Sequence, residues 1–326
     1  MMKSLSSYIS PKVRLLFAGD AMQHTPQLKL AEEHNFDYSE YWKNIKRYVD
    51  ESDFAVVNLE CTLSGKPYTG YPCFSAPDQY AESLRDAGFD LFLTSNNHCL
   101  DYGLKGLTRT IDVLDNLKVD HIGTYKTPPK QQAYVVSKSG INIGFLNYSF
   151  GVNNEKELMN IPEYSVSLFK MSKIMSDIQN IRPKVDLLIC CLHFGMEYHV
   201  KPTLYQKKLV STLRDWGVDM VIGSHPHVPG IISWDDDHLV AYSLGNFMAD
   251  QDNPRADFKT HGGIMLTIDI SKTGNKVNID KVTPILTYID KQENNYVLTT
   301  TRDETVNVDE FDEFVEFTKK LLKGEI

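Results

Sequence analysis

Seven side chains able to bind a cation or move a proton recur at one kind of place in this sequence: Asp20, Glu60, Asn97, His98, His193, His225 and His227. Each follows a short apolar run. RLLFAG (14–19) ends at Asp20, and FAVVNL (54–59) ends at Glu60. LFLT (91–94) runs into Ser95-Asn96-Asn97-His98, VDLLICCL (185–192) ends at His193, and DMVIG (219–223) leads into Ser224-His225-Pro226-His227. Apolar runs of this length read as buried strands. α/β proteins gather their sites at the carboxyl ends of such strands. The spacing therefore predicts that loops distant in the chain converge on one edge. Imidazole with carboxylate suits Mn, Fe, Zn or Ni, whereas an all-oxygen set would suit Mg or Ca. Two cations ~3.5–4 Å apart need a shared carboxylate, and Glu60 is the candidate. His225 and His227 are two residues apart, so an extended segment, kept so by Pro226, would point both to one side. Taken singly, each residue also has an ordinary reading as a turn, a strand end or a packed core histidine. The joint pattern carries the inference.

The elements that must position these groups alternate in type. Helical stretches are expected at 39–50, 77–87, 103–117, 166–180 and 203–216, from apolar spacing on one face. Antiparallel pairs are expected at 132–150 around Ser139-Gly140 and at 230–247 around Asp235-Asp236-Asp237. A strand at 264–270, a turn at Thr273-Gly274-Asn275, a strand at 276–289 and a helix near 309–322 close the chain. No repeat, low-complexity tract or Pro/Gly/Ser linker divides it. The expectation is one α/β domain over 1–326, with a core at about 12–270 and a strand and helix extension at 271–326.

Composition narrows the function. The 326 residues carry a net charge of -9, with 42% hydrophobic and 24% charged residues. That is globular composition, and the acidic balance argues against nucleic acid as a partner. The five cysteines, Cys61, Cys73, Cys99, Cys190 and Cys191, form no CxxC pair, so a disulfide framework is not expected. The N-terminus MMKSLSSYISPKVRLLFAGD has no continuous apolar signal region, and no run approaches the ~20 apolar residues of a membrane span. A cytoplasmic protein is expected, with peripheral membrane association left open.

The segments FAGDAM (17–22), NLE (58–60), SNNHCLDYG (95–103), HFGMEY (193–198), GSHPHV (223–228) and YSLGNF (242–247) resemble the CapA family. These are poly-gamma-glutamate capsule-biosynthesis proteins, a branch of the calcineurin-like metallophosphoesterase superfamily. The resemblance covers about residues 14–270. It implies a four-layer α-β-β-α sandwich of two mixed β-sheets flanked by helices. It implies two divalent metal ions, with Asp20 and His227 on the first, Asn97, His193 and His225 on the second, and Glu60 between them. It makes His98 the catalytic acid in attack of a metal-activated hydroxide on a phosphoester. Met22 stands where the wider superfamily has a histidine ligand. A thioether is a poor ligand for such ions, so the first site is expected to be weak, or completed by water or His24.

Further roles follow from position. Asp101 either holds His98 in one tautomer or caps the helix beginning near Tyr102-Gly103. Tyr71, in the aromatic loop 67–74, and Arg255 and His261, in the polar loop after YSLGNF, are candidates for substrate binding. Glu197 and Tyr198 are candidates for supporting the ligands. Cys61 and Cys99, beside Glu60 and His98, read as packing residues. The expected substrate is a phosphoester or an anionic polymer, and the expected partners are other capsule-synthesis proteins. Three functions stay open: a metal-dependent phosphoric ester hydrolase, a non-catalytic metal-binding accessory of capsule assembly, and a nucleotide phosphohydrolase.

Overall fold

The computed structural model describes residues 10–303 and 308–326. Residues 1–9, part of the N-terminal segment expected to lack a signal region, lie outside the described residues. The strands are β1 (Lys12–Ala21), β2 (Phe54–Leu59), β3 (Leu91–Leu93), β4 (Asp120–Ile122), β5 (Tyr134–Lys138), β6 (Ile141–Ser149), β7 (Leu187–His193), β8 (Met220–Ser224), β9 (Ile232–Trp234), β10 (Leu239–Ala241), β11 (Asn246–Met248), β12 (Gly262–Thr273), β13 (Lys276–Gln292) and β14 (Asn295–Thr300). The α-helices are α1 (Thr25–Glu33), α2 (Lys46–Asp50), α3 (Asp78–Ala87), α4 (Gly103–Leu117), α5 (Glu155–Leu158), α6 (Met171–Ile181), α7 (Leu204–Asp215) and α8 (Val308–Leu322).

Two mixed sheets result. The first runs β14-β13-β12-β1-β2-β3-β4, with β11 taking up the end of β1, and the second runs β5-β6-β7-β8-β10-β9. Side-chain alternation, with its period of two, stacks them. Val13, Leu15 and Phe17 of β1 and Phe54 and Val56 of β2 meet Leu187, Ile189 and Cys191 of β7 in one core between the sheets. The alternate residues Leu16, Ala18, Ala55 and Val57 face outward onto Tyr80, Leu84 and Leu114 of α3 and α4. Leu188, Cys190 and Leu192 likewise face Ile174, Ile178, Leu209 and Leu213 of α6 and α7. Strands wetted on neither face read as unbroken apolar runs, which is why they stood out in the sequence. Each large side chain buried this way contributes about 1.5–3 kcal/mol. The layers are helix, sheet, sheet, helix.

Local chemistry sets the boundaries. Thr203 caps α7 by accepting from the N–H of Gln206, whose side chain returns to the Thr203 N–H. α3 stops at Gly88, whose φ of 108° a side chain would disfavour. Several expectations need correction. The stretch 39–50 is not one helix but a 3-10 turn at Ser39–Trp42 followed by α2. Its consecutive rings Tyr41 and Trp42 are both buried. Residues 166–170 precede α6 and include bridges to Thr124 and Ser149, so that helix starts at Met171. The pairing expected over 230–247 ends at Ala241, and β11 crosses to pair in parallel with β1. α1, β4 and β14 lie where no element was expected. The segment beyond 271 continues the first sheet through β13 and β14, and Phe311 and Phe314 of α8 enter the core between the sheets. Among the described residues no helix is long and apolar enough to cross a membrane.

Candidate metal centre

The strand ends meet at the seam between the sheets. The register of β1 on β2 shifts between Ala18 and Asp20, leaving Gly19 at an irregularity. Gly19 has to be glycine, because a Cβ there would stand 2.0 Å from the carbonyl oxygen of Gly245. That same carbonyl accepts from the N–H of Asp20 at 3.0 Å. The crossing fixes Asp20, whose side chain is wholly buried. Asn58, two residues before Glu60 and so on the same face of β2, donates from Nδ2 to Asp20 Oδ1 at 2.8 Å and lies 3.4 Å from Glu60 Oε2. Asn96 accepts the N–H of His98 at 3.2 Å and donates to the Leu59 carbonyl at 2.8 Å, which ties the third loop to the second.

The second sheet supplies imidazoles. His193 ends β7 with Nδ1 3.0 Å from Ser224 Oγ, so Nε2 faces the seam, 2.6 Å from Asn97 Oδ1 and 3.5 Å from Glu60 Oε1. His227 has Nδ1 3.0 Å from Asn246 Oδ1 and 3.3 Å from Asp20 Oδ2, with Nε2 3.9 Å from Glu60 Oε1. Holding one ring nitrogen leaves the other free for a ligand. The SHPH segment differs from expectation. It is not extended: His225 has φ 97° and His227 φ 60°. The chain must bend back across the seam, where the His225 N–H donates to Asp20 Oδ2 at 3.1 Å. Such conformations cost on the order of 1–3 kcal/mol each and persist where surroundings over-determine them. The two rings end 5.9 Å apart, and that of His225 is 4.8 Å from His193.

Among the described residues three sets of donor atoms thus form, the atoms of each lying within 4.8 Å of one another: Glu60, His193 and His225; Asp20, Glu60 and His227; and Glu197, His225 and His227. Glu60 joins the first two sets. Glu60 Oε1 and His225 Nδ1 are buried without a hydrogen-bond partner. Such orphans are rare in folded proteins, and a cation would satisfy both. Burial, reinforced by Asp20, raises Glu60 well above the ordinary carboxyl range. Burial also opposes ionisation of Asp20, but His227, Asn58 and the His225 N–H outweigh it and hold its carboxyl low. Burial and the neighbouring rings push His225 down to about 3 and His193 well below its usual value. The imidazoles of His225 and His193 are therefore neutral, which is the ligating form. Neutral lone pairs and confined carboxyls fit a divalent cation.

Beside this set, His98 Nδ1 lies 2.7 Å from Asp101 Oδ2, which also accepts the Phe74 N–H at 2.7 Å. The N-cap position of α4 is Tyr102, without a side-chain cap, and the Asp101 carboxylate instead faces His98. Phe74 packs edge-on to His98 with ring centres 4.6 Å apart. Cys61 and Cys99 are buried, and burial pushes Cys99 up to about 12, so both are packing thiols.

The outer candidates divide. Tyr71 is 73% exposed, with its ring 6.5 Å from Phe74 at the rim. Arg255 is exposed and makes no ion pair among the described residues. His261 is drawn away to Asp252 at 2.7 Å and Glu310 at 3.6 Å, because the 3-10 turn Asp257–His261 sets it beside α8. Met22 is buried, and His24 belongs to none of the three donor sets. Sequence reasoning left out Asn58, Ser224 and Asn246, although all three stand inside quoted motifs. The signal for Asn58 was its two-residue offset from Glu60. Asn246 had none, since its place depends on β11 changing sheets.

The family described as "Bacterial capsule synthesis protein PGA_cap" matches residues 14–251. The chain belongs to this family. It is 26% identical over 255 residues to "Capsule biosynthesis protein CapA" of Bacillus anthracis, covering 74% of this chain and 60% of that protein. It is 24% identical over 266 residues to "PGA biosynthesis protein CapA" of Bacillus subtilis (strain 168), covering 76% and 66%. This PGA_cap chain therefore spans less than two thirds of either relative. A solved "Putative 5'-Nucleotidase" of Staphylococcus aureus superposes with a TM-score of 0.51 at 12% identity, over 94% of this chain and 58% of that one. That likeness concerns the fold alone, the metallophosphoesterase-like sandwich.

Proposed function

We propose that this PGA_cap chain is a metal-dependent phosphoesterase acting in the synthesis of a capsule or cell-envelope polymer. The observation that carries the reading is the buried donor set at the seam, with its orphaned Glu60 and His225 atoms, standing beside a buried His98–Asp101 pair. Asp20, Glu60 and His227 would hold one cation, and Glu60, Asn97, His193 and His225 a second. Bound Mn, Fe, Zn or Ni would supply Lewis acidity toward phosphoryl oxygens and activate water. The chain's own part is positional and acid–base. Asp101 engages His98 at Nδ1, which leaves Nε2 to give a proton to the departing oxygen. Phe74 holds the ring edge-on, and the Phe74 N–H fixes the same Asp101 oxygen. Asn58 Nδ2 bridges and orients the two carboxylates. The names of the relatives support capsule polymer as the setting, with a phosphoester or anionic polymer as substrate and other capsule-synthesis proteins as partners.

Elemental analysis of the purified protein, with phosphomonoesterase and diesterase assays in Mn, Zn, Ni and Fe, tests the reading. Turnover that is lost in both Glu60→Ala and His225→Ala supports it. Tight metal binding without turnover on any substrate would move the chain to a non-catalytic accessory role.

A further inference from the structure

The donors are unevenly shared. The set of Glu60, His193 and His225 has Asn97 Oδ1 beside it as a further donor, 2.6 Å from His193 Nε2. The set around Asp20, Glu60 and His227 has three. Divalent ions of this class take at least four donors. Met22, on the same strand end, is buried elsewhere with its carbonyl accepting from Tyr80.

One further carboxylate reaches these imidazoles. Glu197 is exposed, yet its oxygen lies within 4.8 Å of ligand atoms of both His225 and His227. Glu60, by contrast, is wholly buried. The position of Glu197 is built rather than incidental. The next residue, Tyr198, adopts φ 65° and donates its N–H to the Pro226 carbonyl at 2.8 Å, so the loop is pinned between the two histidines. Gly195, at φ 117°, supplies the turn that brings the loop there, against Gln206 and Pro226. His225 is about nine-tenths buried, and its Nδ1 has no partner.

We propose that Glu197 is a cation ligand on the solvent side, joining His225 of the one proposed site to His227 of the other. It is also the exposed member of the proposed ligand set, and so the one open to displacement by an incoming anionic substrate. The proposal rests on the two-cation reading of the seam and adds a residue to it.

The test is cation binding, read without turnover. Mn titrated into metal-free protein by calorimetry should show two unequal sites. Electron paramagnetic resonance of the loaded protein should show coupled Mn pairs. In Glu197→Gln, which keeps shape and loses charge, the weaker site should loosen at least about tenfold, the stronger site should hold, and the coupled signal should give way to isolated Mn. Glu197→Asp should retain more of the weaker site than Glu197→Gln. Inorganic phosphate should bind loaded Glu197→Gln more tightly than loaded wild type wherever one Mn remains. Unchanged Mn affinities and an unchanged coupled signal in Glu197→Gln would overturn the proposal and leave the two-cation reading standing. Wild-type protein that binds no Mn would overturn both.

Discussion

Oδ2 of Asp101 receives two groups at once, His98 Nδ1 and the Phe74 N–H, each at 2.7 Å. The aromatic loop and the proposed acid are thus locked to one oxygen. Asp101→Asn should free the ring without touching any proposed cation ligand. The expected outcome is unchanged metal content and a fall in kcat on the order of 10²-fold for alkyl phosphodiesters. With nitrophenyl esters, whose leaving group needs no proton, the fall should be far smaller. Equal losses on both substrate classes would remove His98 from the acid role.

Glu60 should reveal itself through stability. Its carboxyl is buried beside Asp20 and raised well above the usual range, so ionising it in the cation-free fold is unfavourable. Glu60→Gln is therefore expected to melt no lower than wild type in chelator. Wild type should gain about 2.7 kcal/mol when cation is supplied at a hundredfold excess over Kd, and the variant should gain little. Scanning calorimetry with and without Mn reads the difference.

His24 predicts a pH dependence. Burial pushes it down to about 4, from an ordinary 6.5 in the unfolded chain. Between those values the unfolded state binds the extra proton, so stability rises with pH and is lost as pH falls from about 6.5 toward 4. From pH 7 to pH 5 the loss from this group is about 2 kcal/mol, since each tenfold difference in proton affinity between the two states is worth about 1.4 kcal/mol. Glu60 works in the opposite sense, since its raised folded value removes stability as pH rises. The clean readout is thus a comparison: urea midpoints of metal-free wild type and His24→Gln should diverge as pH falls. Parallel profiles would contradict it.

Gly19→Ala should be costly for its size. The new methyl meets the Gly245 carbonyl at 2.0 Å. Backbone must move, at roughly 1–3 kcal/mol. Because Asp20 bonds that same carbonyl, cation affinity should fall together with the denaturant midpoint. A destabilised variant with intact affinity would show that Asp20 is placed by other contacts.

The strand ends were legible in the sequence because β1, β2, β7 and β8 are buried on both faces, and a wholly apolar run ending in a ligand-type residue is a strong local signal. The bend at His225-Pro226-His227 was not legible. Its positive φ values are imposed by Asp20 and the seam, which no spacing rule within SHPH contains. β11 escaped for a related reason. Three residues cannot declare which sheet they join, and only the approach of Gly245 to Gly19 decides it. α1 was missed because few of its positions, Gln27, Leu28 and Ala31, are buried, one of them polar. The surroundings of His261 were not legible either, because a polar loop following a motif says nothing about Asp252 and Glu310, which lie against its ring. Glu197 was quoted within HFGMEY, but its reach toward two imidazoles depends on Tyr198 gripping Pro226.

The division of donors between layers has a mechanical meaning. Asp20 and Glu60 belong to one sheet, and His193, His225 and His227 to the other. A cation held by both is a rivet through the sandwich, and its binding energy opposes shear of one sheet over the other. Stripped protein should first loosen along that plane, so hydrogen exchange quickened by chelation would begin at the rim of the seam and spread down it, sparing the helices on the outer faces.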